Sequence, residues 1–243
     1  MVKNIWDNLA EGFNTNLELD QLSTGLADNI LIAWPALLDF VQQQFEPTTG
    51  KRALDFGCGT GGFAKRLAQL GFITTGYDNS AEMIKVADKY NNSDNPQFTS
   101  DLKTIAAVNN NIYDLITAVM VLQFFEDNNA QFAQLLKLLD TGGLLLFDVF
   151  NQKYVQRCLE LGIAFGGFAN PDKPEHGYID FGRQNKVPIN IRSAADYDRI
   201  FQKLGFKKVL ESYPEFTEEF KQKYPKEKPV DVPEYMILGY KHA

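Results

Sequence analysis

The sequence predicts an α/β fold, a parallel sheet wound on both faces by helices, and three observations carry that reading. Short apolar runs alternate along the chain with segments whose apolar residues repeat at helical spacing. The runs are apolar at consecutive positions, as expected of strands covered on both faces. A chain of 243 residues, 44% hydrophobic and 23% charged, has an ordinary globular composition and the length of one large domain with additions.

Taken in order, residues 1–50 read as a helical N-terminal cap. Within it Ile30 to Phe45 sets Leu31, Trp34, Leu38, Val41 and Phe45 at helical spacing and stops at Pro47 and Gly50. Residues 51–150 read as the alternating core. Arg52 to Phe56 is a first apolar run, Phe63 to Leu70 a helix ending at Gly71, and Ile73 to Tyr77 a strand. Ala81 to Tyr90 is a helix opened by Asn79 and Ser80, residue types that cap exposed amides. A third strand runs through Phe98 and Thr99. Tyr113 to Val119 is a buried strand, Gln131 to Leu139 a helix stopped by Gly142 and Gly143, and Leu144 to Phe150 another strand. Residues 151–192 are rich in glycine and aromatics and carry Pro171, Pro174 and Pro188. They read as a long irregular insertion, the kind of segment that serves as a lid. Residues 193–243 return to the sheet, with a helix from Ala194 to Leu204 and strands at Phe206 to Ser212 and Tyr235 to Tyr240. The polar stretch from Tyr213 to Pro233 reads as a surface excursion. The whole is expected to form a single domain.

The composition excludes a disordered chain, a collagen-like fibre and a disulfide scaffold. With 31 acids against 24 bases the net charge is -7, which disfavours nucleic-acid partners. The two cysteines, Cys58 and Cys158, need no oxidising compartment. No apolar run reaches the roughly 18 residues of a membrane span, and the N-terminus lacks an apolar signal core. The expectation is a cytoplasmic protein, monomeric or a homodimer.

The sharpest signal is Leu54-Asp55-Phe56-Gly57-Cys58-Gly59-Thr60-Gly61-Gly62-Phe63, set between a predicted strand and a predicted helix. Glycines there permit a tight turn and bring backbone amides close to a ligand. Asp78 lies 21 residues beyond Gly57, at the end of the next strand, where a carboxylate can accept from both hydroxyls of a ribose. Gly57, Gly59 and Gly62 fit the dinucleotide spacing; Gly57, Gly59 and Gly61 fit a second spacing preceded by Asp55. The acid separates the two, since a carboxylate in the turn repels a pyrophosphate and suits an ammonium group. S-adenosylmethionine (SAM) carries an amino-acid tail, a cationic sulfonium and no phosphate.

On these residues the chain resembles the class I SAM-dependent methyltransferases of small-molecule type. The likeness runs through Ala53 to Gly61, Gly76 to Met83, Asp114 to Ala118 and Val121 to Phe125, and more loosely through Leu204-Gly205-Phe206 and Tyr235 to Lys241. It implies a Rossmann-like, mostly parallel seven-stranded sheet with an antiparallel last strand, a helical cap and an insertion lid. It implies SAM as cofactor, S-adenosylhomocysteine (SAH) as product and a small-molecule methyl acceptor. It also assigns places: Asp55 near the methionine amino group; Gly57, Cys58, Gly59 and Gly61 lining the cofactor; Asp78 on the ribose. Asn79 and Met83 flank the adenine, Asp101 accepts the adenine amino group beside Leu102, and Ala118 and Val119 meet the methionine tail. Met83 also shares a helical face with Ile84 and Ala87, which would serve a core equally well. Where many small-molecule members carry a histidine pair, this chain has Gln123 and Phe124, so no histidine role transfers there.

The acceptor side is read from what remains. His176 is the one imidazole placed to act as a base, with Tyr178 as an orienting hydroxyl; His242 sits at the terminus. Trp6 and Phe13 belong to an aromatic-acid opening that either folds over the cofactor or docks on the core. Arg183 and Arg192 flank the end of the insertion and could grip a carboxylate. Phe165, Phe168, Tyr178 and Phe181 would form an aromatic wall. No spacing of cysteine and histidine suits a metal. The alternatives are an NAD-dependent oxidoreductase on the overlapping dinucleotide spacing and a SAM-binding protein without catalysis. A base-methylating enzyme is disfavoured, because Val121 to Phe125 lacks an Asn/Asp-Pro-Pro-aromatic element.

Overall fold

The computed structural model describes residues 5–18, 21, 24–107, 113–126, 129–161, 167–168, 176–180, 186–223 and 231–243. Its strands are β1 (Arg52–Phe56), β2 (Ile73–Tyr77), β3 (Gln97–Thr99), β4 (Tyr113–Val119), β5 (Leu139–Phe150), β6 (Gly167–Phe168), β7 (His176–Asp180), β8 (Lys186–Asn190), β9 (Phe206–Ser212) and β10 (Tyr235–His242). The helices are α1 (Thr24–Asp28), α2 (Trp34–Gln44), α3 (Gly62–Gln69), α4 (Ala81–Lys89), α5 (Leu102–Ala107), α6 (Asn129–Leu136), α7 (Gln152–Glu160), α8 (Ala194–Lys203) and α9 (Glu218–Lys223).

Seven strands form the main sheet in the order β3-β2-β1-β4-β5-β10-β9. β1 pairs in parallel with β2 and β4, β2 with β3, and β4 with β5. β10 runs antiparallel to both β5 and β9, between which it is inserted. The strand order reverses between β1 and β4, and a crevice opens beyond the carboxyl ends of strands at such a point.

Both faces of the sheet are buried, which is why the strand sequences are apolar at successive positions. Leu115, Leu144 and Leu146 pack on one side with Trp34, Leu37, Phe63 and Leu67 of α2 and α3. Ile116, Leu145 and Phe147 pack on the other with Phe132, Tyr197 and Phe201 of α6 and α8. The helices start where the sequence provides acceptors for their first amides. Ser80 caps α4 by accepting from Met83 N, and Ser193 and Asp196 form a reciprocal capping box on α8.

Five expectations are corrected. Among the described residues before Thr24 there is no regular helix: Ile5–Asn8 and Ala10–Phe13 are single 3-10 turns, followed by turns fastened through the Asn14, Asn16 and Thr60 side chains. Next, α1 passes through a π-helical turn, Asn29–Ala33, before α2. β5 begins at Leu139, ahead of the Gly142-Gly143 pair expected to end a helix, and Gly142 takes a φ of 86° within the strand. The insertion is also more regular than expected. It holds α7 and a second antiparallel sheet, β6-β7-β8, whose period-two pattern buries Val187 and Ile189 while exposing Lys186 and Pro188. Finally, the polar excursion is anchored by Phe216 and Phe220, buried against Ile32, Ala33 and Tyr154.

The small sheet docks on the carboxyl edge of the main one. Ile179, Ile189 and Ile191 cluster with Val155 and Leu159 of α7 and with Phe124 and Phe150, which follow β4 and end β5. Among the described residues no helix is long and apolar enough to cross a membrane.

Candidate active site

The turn after β1 takes left-handed backbone at Gly57, Gly59 and Gly61, with φ of 76°, 53° and 84°. Gly57 N and Cys58 N both donate to Tyr77 O, at 2.7 and 2.9 Å, hooking the turn over the end of β2. A Cβ on Gly57 would lie 2.3 Å from Val121 Cγ2, and one on Gly61 2.5 Å from the Phe98 ring. At Gly59 a Cβ would meet nothing within 4 Å. Two glycines therefore answer to packing, and the middle one borders open space.

Asp78 closes this turn from the end of β2. Its Oδ2 accepts from Gly59 N and its Oδ1 from Ser80 N, each at 2.9 Å. Burial pushes its carboxyl above the ordinary range, and those two amides oppose the shift. Asp55 is buried at 1% exposure; its Oδ1 accepts from the Thr117 hydroxyl at 2.9 Å, while Oδ2 has no hydrogen-bond partner among the described residues. Burial is the main cause that pushes Asp55 up to about 7, against the Thr117 hydroxyl and with the repulsion of Asp78.

The remaining residues singled out for the cofactor are dispersed around this centre. Asn79 is exposed just ahead of α4. Asp101 is exposed and accepts from Lys103 N at 2.9 Å, and Leu102 beside it is 46% exposed. Met83 is buried with Ala10 and Val86 under Trp6, Leu9 and Phe13. Ala118 is in the core and Val119 half-buried at the end of β4. Cys58 is buried between its glycines, and burial holds its thiol well above the ordinary value, so it carries no thiolate. Cys158 is likewise buried, its thiol pushed up to about 11. Among the described residues no group of three or more acids, histidines or cysteines is arranged to hold a metal.

The N-terminal segment is fastened across the glycine turn. Thr15 N and Thr15 Oγ1 each lie 2.9 Å from Thr60 Oγ1, which donates in turn to Phe13 O. Asn16 Nδ2 donates to Thr60 O, and Gly62 N to Thr15 Oγ1. Ser80 Oγ donates to Asp7 at 2.7 Å. Trp6 makes edge contacts with Phe13 at 6.0 Å and with Phe124 at 5.2 Å, bridging the cap to the turn after β4.

That turn is the third wall. Arg192 is buried; its guanidinium donates to Leu122 O and Phe125 O and stands over the Phe132 and Tyr197 rings. It braces the turn from below, a placement unlike that of an arginine offered to a substrate. Arg183 lies outside the described residues, as do Phe165 and Phe181, and the Phe168 side chain is likewise not described. His176 Nδ1 lies 3.0 Å from Asn190 Oδ1, and Asn190 Nδ2 donates to Phe125 O at 2.7 Å. Because the Phe125 carbonyl fixes which end of the amide donates, Asn190 Oδ1 accepts, so a neutral His176 carries its proton on Nδ1 and its lone pair on Nε2. Tyr178 follows two residues on along β7, with Lys186 Nζ 4.7 Å from its ring centre.

Sequence reasoning gave no role to three buried side chains here. Asp148 on β5, fully buried, is pushed up to about 6 by burial; Asn29 lies 2.7 Å from it, and Gln123 is 2% exposed. The one available signal was an acid interrupting the apolar run of β5.

This fold and site define a class I SAM-dependent methyltransferase. The methyltransferase-domain profile matches residues 32–211, and the chain belongs to that family. A ubiquinone biosynthesis O-methyltransferase of Xanthomonas axonopodis pv. citri is 28% identical over 164 residues, covering 66% of this chain and 68% of that protein. One from Vibrio vulnificus is 31% identical over 121 residues, covering 49% and 52%. The matches thus span about half to two thirds of these relatives. Among solved structures, magnesium protoporphyrin IX methyltransferase of Synechocystis with bound SAH superposes with a TM-score of 0.64 at 18% identity, covering 99% of this chain and 100% of that one. A SAM-dependent methyltransferase of Mesorhizobium loti gives 0.65 at 18%, covering 93% and 100%. At such identities the structural likeness concerns the fold.

Proposed function

We propose that the chain transfers the methyl group of SAM to a small, partly apolar acceptor bound under the N-terminal segment and the insertion. The observation that supports this cofactor placement is the conjunction, on either side of one turn, of a buried Asp55 carboxylate oxygen without a hydrogen-bond partner among the described residues and open space at Gly59. The charge of the first favours an ammonium group brought near the turn, and a ligand laid against the turn fills the second. Asp78, already oriented by Gly59 N and Ser80 N, keeps further lone pairs for ribose hydroxyls. Asn79, Met83, Asp101 and Leu102 border the adenine, and Ala118 and Val119 the methionine tail. The dinucleotide reading is weakened at Gly62, whose amide is taken by Thr15 and whose Cβ position lies 2.4 Å from the Thr15 hydroxyl.

When bound, SAM supplies an activated methyl group on a sulfonium. The chain's own residues then align the acceptor, exclude water and take up a proton where the acceptor must lose one. Trp6, Phe13 and Phe124 exclude water at the mouth. His176, its ring oriented by Asn190, is the imidazole proposed to take up that proton, and Tyr178 on the same face of β7 orients the acceptor. The half-buried aromatic surround and the named relatives support a small molecule over a nucleic acid.

The test is incubation of the full chain with methyl-labelled SAM and fractionated metabolites, with hydroxylated aromatic compounds as a defined panel. Label should appear in a low-molecular-weight product. Label found only in RNA or protein substrates would refute the acceptor class.

A further inference from the structure

Met120, the residue that leaves β4, has a φ of 57°, the left-handed region that a residue with a side chain rarely enters. It is held there from both sides of its peptide. Met120 N donates to Asp148 Oδ1 at 2.8 Å and lies 3.2 Å from Asp148 O; Gln123 Nε2 donates to Met120 O at 3.3 Å. Gln123 is fastened in turn, its Oε1 accepting from Phe150 N. The second oxygen of Asp148 accepts from Asn29 Nδ2 at 2.7 Å. Asn29 opens the π-helical turn between α1 and α2, the kind of irregularity that recurs at functional sites. Asp148 lies opposite Val119 in the β4–β5 register. One fully buried carboxylate therefore joins the helical N-terminal segment, the exit of β4 and the end of β5 at the carboxyl edge of the parallel strands.

We propose that Asp148 is a positioning residue, which, through Asn29 and the Met120 amide, holds the exit of β4 in the one backbone shape that lets cofactor and acceptor meet. The inference goes beyond the cofactor placement above and rests on it for its functional meaning. The chemistry of the latch is specific: both neighbours are donors, so the central group must accept twice. In Asp148→Asn the new side chain keeps an acceptor for Met120 and turns a donor toward Asn29, whose amide must give up its present orientation to answer it, which loosens that arm. Adding Asn29→Asp supplies an acceptor there and rebuilds the arm with the charge moved across it.

The experiment compares wild type, Asp148→Asn and the reciprocal pair Asn29→Asp/Asp148→Asn. Hydrogen exchange is read at the backbone amides of residues 119–124 without ligand. Calorimetry reads SAH affinity, and thermal melting reads global stability. Asp148→Asn is expected to speed exchange at Met120 at least about tenfold, as local opening does, and to weaken SAH severalfold. The reciprocal pair is expected to restore both toward wild type. Unchanged exchange and affinity in Asp148→Asn would overturn the proposal. So would a reciprocal pair as loose as the single variant, because the charge at 148 would then matter and the hydrogen-bond geometry would not. If Asp148→Asn fails to fold, the reciprocal pair decides alone, supporting the proposal by native exchange and overturning it by loose exchange. A wild type that ignores SAH would defeat the cofactor placement, and the ligand-free exchange would still judge the latch.

Discussion

Raising the pH from about 5 to about 7.5 should destabilise the ligand-free chain, with the buried carboxyl of Asp55 as the main cause. Burial lifts that group from an ordinary 3.8 to about 7, and Asp148 from 3.8 to about 6. At about 1.4 kcal/mol per tenfold change, these correspond to roughly 4 and 3 kcal/mol. The sign follows from proton counts. Between the unfolded and folded values the folded chain binds more protons than the unfolded one, so stability is lost as pH rises through that window and is intact below it. About 3 kcal/mol of the Asp55 share and about 1 kcal/mol of the Asp148 share fall between pH 5 and 7.5. Urea unfolding at the two pH values measures the difference, and Asp55→Asn should remove the larger share while keeping the smaller. An ammonium-bearing ligand reverses the preference by drawing Asp55 into its ionised form. SAM binding below about pH 7 should therefore release a proton, and affinity should rise with pH by up to roughly tenfold per unit. Calorimetry in buffers of different ionisation enthalpy reads that proton directly. If Asp55→Asn unfolds with the wild-type pH dependence, the assignment of the raised group is wrong.

Gly59→Val should abolish SAH binding while the sheet's circular dichroism persists, because its side chain enters open space beside the turn and its φ of 53° strains a β-branched residue locally; a folded variant with wild-type affinity would refute the placement. Asp78→Ala should weaken SAH by about 1–3 kcal/mol, the value of a charged hydrogen bond, and an unchanged titration would remove Asp78 from the ribose. His176→Ala should lower turnover on the acceptor found by labelling by roughly a hundredfold with SAH affinity intact; equal turnover would show that this imidazole is no base.

The sheet was legible because Leu115-Ile116 of β4 and Leu144 to Phe147 of β5 are apolar at successive positions, as strands covered on both faces are. The glycine turn and Asp78 were legible because their spacing is a short-range property of the chain. The cap was legible as helix from Thr24 to Gln44, and its first part was misread because Thr15 and Asn16 hold it by bonds to residues 44 to 47 positions away, which leave no period in the sequence. The insertion was misread because glycine and proline suggested irregularity where Val187 and Ile189 alternate as a strand. Asp148 is an acid in an apolar run, but its partner Asn29 is 119 positions away, and nothing local joins them. Arg192 illustrates the same limit: its carbonyl partners are 70 and 67 positions away, so its buried bracing role had no sequence signal.

The most direct test of the central claim is a calorimetric titration of the full chain with SAM and, separately, with NAD. One equivalent of SAM should bind per chain, with SAH competing for the same site and NAD giving no heat. Saturable NAD binding without any response to SAM or SAH would contradict the account.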